Sequence, residues 1–201
     1  MATPHRYFML HKPYNMVSQF ISPDDVNLLG DIDFDFPEGT HAIGRLDSNS
    51  EGLLLLTTNK KITRLLFQSE TPHKRTYIIQ VIHHTSEESL QKLRDGIPIL
   101  IKGNVMWTTT PCQVTQIERP TYLHPVDHEL PDFVKSSWLQ ITLTEGKFHQ
   151  VRKMVYAIRH KCRRLIRVSI EDMNLGDLAP GAVKEFSEED FFALLKLPLD
   201  N

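Results

Sequence analysis

The segment GRLDSNSEGLLLLTT, residues 44–58, constrains the fold of this chain more than any other stretch. Extended runs on both sides of the polar DSNSEG predict two strands joined by a loop, and the four leucines indicate that the second strand lies in the core. Asp47 is then expected where strand gives way to loop. A carboxylate so close to a core strand must be paired, solvated or functional, because an isolated buried charge is costly and usually neutralised.

The length and composition are those of a globular protein. The 201 residues, of which 40% are hydrophobic and 24% charged, are enough to bury a sizeable core. No apolar run approaches the roughly 18 residues that span a bilayer, which excludes a membrane-spanning chain. The N-terminus lacks the pattern of an export signal, and Cys112 and Cys162 lie far apart without a C-x-x-C spacing. We therefore expect no disulfide framework and a reducing cytoplasm.

Charge is distributed unevenly, although the formal net charge is only -2. Residues 146–167 hold eight Lys and Arg and no acidic residue, whereas residues 22–39 hold six Asp and Glu. A run of charge is usually a solvated helix face, yet a merely soluble surface normally carries interspersed acids. The basic segment therefore favours contact with phosphate groups.

The patterns of apolar residues predict more strands than helices. Strands are expected at 7–11, 40–46, 52–58, 75–83, 97–103, 113–118, 137–146 and 164–170. Because most connections between them are short, the sequence indicates an α+β fold around a largely antiparallel sheet. No repeat, low-complexity tract or linker is found, so we expect a single domain over residues 1–201.

Four helices are predicted from spacing and capping signals. The first spans 59–68, and the second spans 85–96 with Thr85 and Glu88 as a capping box. The third is indicated by an apolar stripe at helical spacing, formed by Val151, Met154, Val155 and Ile158. The last runs to Leu195 from a cap formed by Ser187 and Asp190.

Asp47 itself allows two interpretations. An Asp in such a loop often forms a side-chain-to-backbone turn, here with Asn49 or Ser50. It is equally suited to be a catalytic carboxylate, since reactive groups often lie on loops carried by a rigid scaffold. Spacing alone does not choose between the two.

Four segments, in order along the chain, resemble the motifs of one enzyme family. They are LHKPYNMV, GRLDSNSEGLLLLTTN, KRTYIIQV, and LTEGKFHQVRKM with the following RLIRV. The chain closely resembles RNA pseudouridine synthases of the RsuA family, and the resemblance covers nearly its whole length. It implies a mixed sheet with flanking helices and a central active-site cleft. Because the chain starts almost at the Lys-Pro motif, the S4 domain found at the N-terminus of many members is expected to be missing, as in short RluE-type members that act on large-subunit ribosomal RNA.

The resemblance implies a role for three residues. Asp47 is expected to attack or deprotonate the ribose of a target uridine, Tyr77 to stack on the base, and Arg152 to pair with the aspartate. A nearby guanidinium favours the charged carboxylate by about 1 to 3 pKa units, which would make Asp47 tolerable beside the leucines. For Tyr77, a lone tyrosine on a strand is also commonly a packing residue.

The same resemblance and the basic segment predict RNA contacts. The candidate residues are Lys12, Arg45, Lys147, Gln150, Lys153 and Arg167. None of the ten histidines has cysteine or carboxylate partners at a recognised zinc spacing, and no glycine-rich phosphate loop occurs. We therefore expect neither a metal nor a cofactor.

The chain departs from the family pattern at a few positions. Arg159 and His160 stand in the turn after the basic helix, where a glycine is usual, and Lys60 and Asn15 replace a frequent Asp and Gly. If the turn needs a left-handed residue, a side chain there costs about 1 kcal/mol. These departures leave the catalytic assignments untouched.

The sequence thus predicts an isomerase that flips one uridine of ribosomal RNA, best matched to the large subunit, into a pocket formed by Asp47, Tyr77 and Arg152. Small-subunit ribosomal RNA or transfer RNA is an alternative substrate, and a noncatalytic RNA-binding module is an alternative function. A glycosidase would need a second carboxylate, for which Glu51 and Glu145 are the nearest candidates. We expect a monomer whose partner is ribosomal RNA, free or within an assembly particle.

Overall fold

The computed structural model describes residues 4–67 and 71–198 and divides the chain into two compact units. The first unit holds residues 1–73 and 167–201, and the second holds residues 74–166. The strands are β1 (Tyr7–Lys12), β2 (His41–Ile43), β3 (Glu51–Thr57), β4 (Arg75–Ile82), β5 (Pro98–Ile101), β6 (Val105–Thr108), β7 (Gln113–Ile117), β8 (Ser136–Leu143), β9 (Cys162–Ile170), β10 (Met173–Asn174) and β11 (Val183–Phe186). The helices are α1 (Ile62–Phe67), α2 (Glu87–Asp95), α3 (Gln150–Ala157) and α4 (Glu188–Leu195), with a short 3-10 helix at Leu29–Asp31.

The first unit is organised around the leucine strand predicted from the sequence. Strand β3 pairs antiparallel with β1 and with β2, and β1 pairs antiparallel with β11. All seven residues of β3 are buried, and its leucines have no exposed surface. The apolar face that contains Leu54 and Leu56 packs with Phe8, Leu10 and Leu46 in one core cluster. The strand-loop-strand prediction for this segment is confirmed.

Two predicted helices of the first unit are found, α4 with its predicted bounds and α1 with a later start. The final helix begins at the predicted cap, because the Ser187 hydroxyl accepts a hydrogen bond from the Asp190 amide. Helix α1 begins at Ile62 rather than at 59, and the Asn59 side chain accepts instead from the Lys61 amide. Position 68, the predicted end of this helix, lies outside the described residues.

The second unit contains the antiparallel strand order β4, β8, β7 and a separate hairpin of β5 and β6. Strand β6 was not predicted, because its exposed apolar residues do not alternate regularly. The predicted capping box of α2 is wrong in one respect: the cap is Ser86, whose hydroxyl accepts from the Ser89 amide, and not Thr85. The helix ends before Gly96 as expected, at a left-handed φ of 97° that glycine adopts readily.

Helix α3 follows the predicted stripe, and its four apolar residues are buried in the core cluster of the second unit. Its end explains the departure at position 159. The Arg159 and His160 amides donate to the carbonyls of Tyr156 and Val155, the pattern of a Schellman turn. Arg159 takes the left-handed conformation, with φ 63°, that this turn usually assigns to glycine.

The α+β fold class and the dominance of antiparallel pairing are confirmed. Strand β9 is the segment of chain that runs from the second unit into the first, since the boundary falls between Ile166 and Arg167. None of the helices described is long and apolar enough to cross a membrane. A single catalytic domain over residues 1–201 stays a prediction.

Candidate active site

Asp47 lies in the loop between β2 and β3, at the first position of a tight turn. We call residues 47–50 the Asp47 turn. It is closed by a 3.0 Å hydrogen bond from the Ser50 amide to the Asp47 carbonyl, and the Asp47 side chain is half-buried. The chain enters this loop through Gly44 at φ 72°, and a Cβ there would lie 2.6 Å from Cε2 of Phe67. Glycine is therefore required both for the backbone conformation and for the space beside the ring.

A buried serine fixes the backbone just before the aspartate. The Ser18 hydroxyl accepts a 2.9 Å hydrogen bond from the Leu46 amide and donates one of 2.9 Å to the Leu46 carbonyl. Both residues are buried. Because the Ser18 side chain bonds to both the amide and the carbonyl of Leu46, it fixes the backbone conformation of the residue that precedes Asp47. Ser18 was not predicted as a site residue, since nothing in its local pattern signals a contact 28 residues away.

A buried lysine holds the turn from the other side. The Lys12 ammonium donates to the carbonyls of Met16 at 2.7 Å, of Pro13 at 2.8 Å and of Ser48, inside the Asp47 turn, at 3.5 Å. Lys12 has no exposed surface, which is at odds with the predicted direct RNA contact. Burial lowers the pKa of Lys12 from 10.5 to about 7, although Glu51 and Asp47 attract its positive charge.

Two further charged residues lie buried in this region. Glu51 opens β3 with 1% of its surface exposed, and its carboxylate stabilises the Lys12 charge. Arg167 is equally enclosed, and its Nε donates a 2.8 Å hydrogen bond to the Leu53 carbonyl. The positive charge of Arg167 helps to lower the pKa of Lys12. Its burial does not favour the predicted phosphate contact and indicates a role in holding β3.

The other two residues of the predicted catalytic set lie in the second unit. Tyr77 is on β4, half-buried, and packs against the core cluster while facing Ile141 of β8 across the ladder. Arg152 is on α3 and half-buried, and its charge opposes the rise that burial causes in the pKa of the Cys162 thiol. The set is therefore divided along the chain, with Asp47 in the first unit and Tyr77 and Arg152 in the second.

The remaining predicted RNA contacts differ in exposure. Arg45 is exposed, and Lys147 and Lys153 are half-buried with their ammonium groups over aromatic rings. Gln150 is buried: its side chain accepts from the Lys147 amide and donates 2.7 Å to Glu145. Gln150 thus organises the start of α3, and its burial leaves little surface for RNA.

Glu145, one candidate for a second glycosidase carboxylate, has a local structural role. It accepts hydrogen bonds from Trp107 Nε1 at 3.1 Å, from the Thr110 amide at 2.9 Å and from Gln150. These bonds link the β5–β6 hairpin to the segment that leads into α3. A carboxylate engaged in this way is poorly suited to act as a general acid, so the glycosidase alternative gains no support from it.

Comparison with known proteins identifies the family. The signature of the family described as RNA pseudouridylate synthase matches residues 6–157. The chain is 36% identical to the ribosomal large subunit pseudouridine synthase E of Vibrio parahaemolyticus, over 90% of this chain and 73% of that protein. It is 37% identical to the protein of the same name from Xanthomonas axonopodis pv. citri, over 86% of this chain and 89% of that protein. A crystal structure of a pseudouridylate synthase is similar with a TM-score of 0.73 and 26% identity, over 95% of this chain and 74% of that one. The chain belongs to the RNA pseudouridylate synthase family.

Proposed function

We propose that this chain isomerises a specific uridine of large-subunit ribosomal RNA to pseudouridine. The similar proteins from Vibrio and Xanthomonas carry that activity in their names, and the similarity extends over most of each chain. The observation that carries the proposal is the Asp47 turn. Its carboxylate is half-buried, the backbone before it is held by Ser18, and the backbone after it accepts from the buried Lys12 ammonium. Such a preorganised loop is what a catalytic carboxylate needs.

The reaction needs no external reagent. Pseudouridine differs from uridine only in that C1′ of the ribose is bonded to C5 of the base rather than to N1. The N1–C1′ bond breaks, the base turns, and a C5–C1′ bond forms, while C5 loses one proton and N1 gains one. Atoms and charge therefore balance within the nucleotide, and Asp47 either attacks the ribose or removes a proton from it.

Lys12 is proposed as a positioning residue for this step. Its ammonium lies within 3.5 Å of the Ser48 carbonyl and attracts the Asp47 carboxylate. Its hydrogen bond to the turn helps to fix where the Asp47 carboxylate is presented, and a fixed position is what a nucleophile or base requires. The buried Glu51 and Arg167 in turn set the charge balance around the ammonium.

Tyr77 and Arg152 are proposed to act on the same uridine. A phenol ring offers a face on which an unstacked base can lie, and stacking contributes about 1 to 3 kcal/mol per base. A guanidinium is a suitable partner for an ionised carboxylate during catalysis. Tyr77→Phe keeps the aromatic ring and removes the hydroxyl, so it separates the roles of these two groups. Arg152→Lys keeps the positive charge and removes the planar guanidinium, so it separates charge from bidentate geometry.

For recognition we propose that Arg45, Lys147 and Lys153 contact the RNA, because each keeps exposed surface. Lys12, Gln150 and Arg167 are proposed to act indirectly, by holding the Asp47 turn, the start of α3 and strand β3. We further propose that the chain acts as a cytoplasmic monomer on structured RNA, either free or within an assembling ribosomal particle. Equal activity on many unrelated RNA fragments would contradict a structured substrate.

The test maps pseudouridines by carbodiimide modification and primer extension on ribosomal RNA from cells with and without the gene. The deleted strain is complemented by the wild-type chain and by Asp47→Asn. We expect one position of the large-subunit RNA to be lost on deletion and restored by the wild type alone. An unchanged map of both ribosomal RNAs would contradict the proposal. A position lost in the small-subunit RNA instead would show that the substrate is small-subunit ribosomal RNA.

A further inference from the structure

The strongest feature outside the catalytic set is an exposed aromatic group at the entrance to α3. Phe148 has 64% of its surface exposed, which is high for a side chain that gains so much from burial. Its ring stacks on that of His149, with centroids 3.8 Å apart and planes 21° from parallel. The His149 ring covers one face of the Phe148 ring, while most of the Phe148 surface stays exposed; we call this stacked pair the Phe148 platform.

The platform stands on a rigid support. Gln150 bonds to the Lys147 amide through its side chain and to the Lys147 carbonyl through its own amide, closing a tight loop around Phe148 and His149. His149 has a left-handed φ of 54°, a conformation that costs energy in a non-glycine residue and persists only where the surroundings impose it. A surface held in this way loses little entropy when a ligand binds.

A positive charge lies against the platform. The Lys153 ammonium lies 5.3 Å from the centroid of Phe148, and the Lys147 ammonium lies 3.9 Å from the centroid of Trp107. The segment 146–167 contains no acidic residue. An exposed aromatic ring with an ammonium group over it is complementary to a nucleotide, which presents a planar base and a negative phosphate.

A comparison within the second unit separates this group from an ordinary exposed ring. Phe133 is 88% exposed, but it follows Asp132, and among the residues described no ring or cation contact involves it. Single exposed hydrophobic residues of that kind are normal and need no explanation. Phe148 differs because ring stacking and a nearby cation coincide at one place.

We infer that an unpaired base of the substrate RNA, outside the target uridine, stacks on Phe148 while its phosphate contacts Lys153. This inference rests on the proposed function for the identity of the RNA. It adds a recognition contact that depends on a base face and not on sequence-specific hydrogen bonds. A structured RNA would then be recognised partly through a nucleotide that it leaves unpaired.

The test measures the affinity of the full chain for unmodified large-subunit ribosomal RNA transcribed in vitro. All variants carry Asp47→Asn, so that binding is measured without turnover. Phe148→Leu keeps an apolar side chain but removes the π-face, and Phe148→Trp keeps a π-face. We expect Phe148→Leu to raise Kd about 5- to 100-fold and Phe148→Trp to stay near the parent. Phe133→Leu is the matched control and should leave Kd unchanged.

Salt dependence distinguishes the two contacts. Phe148→Leu should leave the slope of log K against log salt unchanged, whereas Lys153→Met should reduce its magnitude by about 0.7 to 0.9, the loss of one phosphate contact. Equal affinity of the Phe148→Leu variant and its parent would overturn the inference. Conversion of the RNA by the wild-type chain is measured in parallel. Absence of conversion would contradict the proposed function, whereas the binding data alone decide this inference.

Discussion

The Asp47 turn and the Phe148 platform use charge in opposite ways. Around the turn, Lys12, Glu51 and Arg167 are almost fully buried, and they act on the backbone and on one another. At the platform, Lys153 and Phe148 keep exposed surface beside a half-buried Lys147. Buried charges are costly to remove but shape a loop accurately, whereas exposed charges add little stability and remain available to a ligand. From this contrast we propose that the first region carries conversion and that the second contributes affinity for RNA.

The largest effect is expected from Lys12→Met, which should sharpen this contrast. The change leaves the buried Met16 carbonyl without its ammonium donor, and loss of a buried partner costs about 1 to 3 kcal/mol in the free energy of unfolding. The rate of conversion should fall, while Kd for RNA should change little because Lys12 has no exposed surface. Urea unfolding and single-turnover assays measure both. Lys153→Met is the control and should show the reverse pattern, with stability within about 0.5 kcal/mol of wild type.

The buried ammonium also predicts a pH dependence. Below pH 7 the Lys12 amine is protonated in both the folded and the unfolded chain, so it contributes no slope. Between its folded pKa of about 7 and its ordinary value of 10.5, the unfolded chain binds more protons, and raising the pH favours the folded state. The stability of wild type minus that of Lys12→Met should therefore rise from pH 7 to pH 9. A difference that stays flat or falls would show that burial does not lower the pKa of Lys12.

Ser18→Ala tests the clamp before the aspartate. The change removes two hydrogen bonds to Leu46 in a buried position, and we expect a loss of about 1 to 2 kcal/mol in the free energy of unfolding. A matched serine is available at Ser22, whose exposed hydroxyl accepts from the Asp24 amide, so Ser22→Ala should change stability less. Conversion should slow for Ser18→Ala alone. Equal stability of the two variants would contradict a role for Ser18 in holding the backbone before Asp47.

The smallest effect is expected at Arg159, an exposed residue of the basic segment that also contains the Phe148 platform. Its φ of 63° favours glycine, so Arg159→Gly should raise the free energy of unfolding by about 1 kcal/mol. Arg159→Ala retains the backbone cost and serves as the control. Thermal unfolding compares the two variants. A gain shared by both would attribute the effect to loss of the arginine charge and not to the turn.

Local signals in the sequence were sufficient for most of the fold. The leucine strand, the stripe of α3 and the Ser187 cap each depend on contacts within a few residues, and all three are present. Ser86 rather than Thr85 caps α2, because either residue suits the position and only the backbone decides. Strand β6 is held by pairing with β5, and the residues of β6 alone do not predict this pairing.

The site was less accessible to prediction because burial of a polar side chain depends on distant parts of the chain. Arg167 bonds to a carbonyl 114 residues away, and Lys12 to one 36 residues away, so both resembled surface cations in the sequence. The exposure of Phe148 was hidden for the converse reason, since a phenylalanine next to an apolar stripe is usually buried. The position of Asp47 in the loop before β3 was predictable because the motif is local, and its catalytic role stays a prediction.

The most direct test of the division between conversion and affinity uses purified wild-type chain and Asp47→Asn with the same unmodified large-subunit transcript. Single-turnover formation of pseudouridine and Kd for the RNA are measured on the same preparations. We expect Asp47→Asn to form no detectable pseudouridine and to bind with a Kd within about twofold of wild type. Conversion at the wild-type rate by Asp47→Asn, or a large loss of its affinity, would contradict the assignment of catalysis to the Asp47 turn.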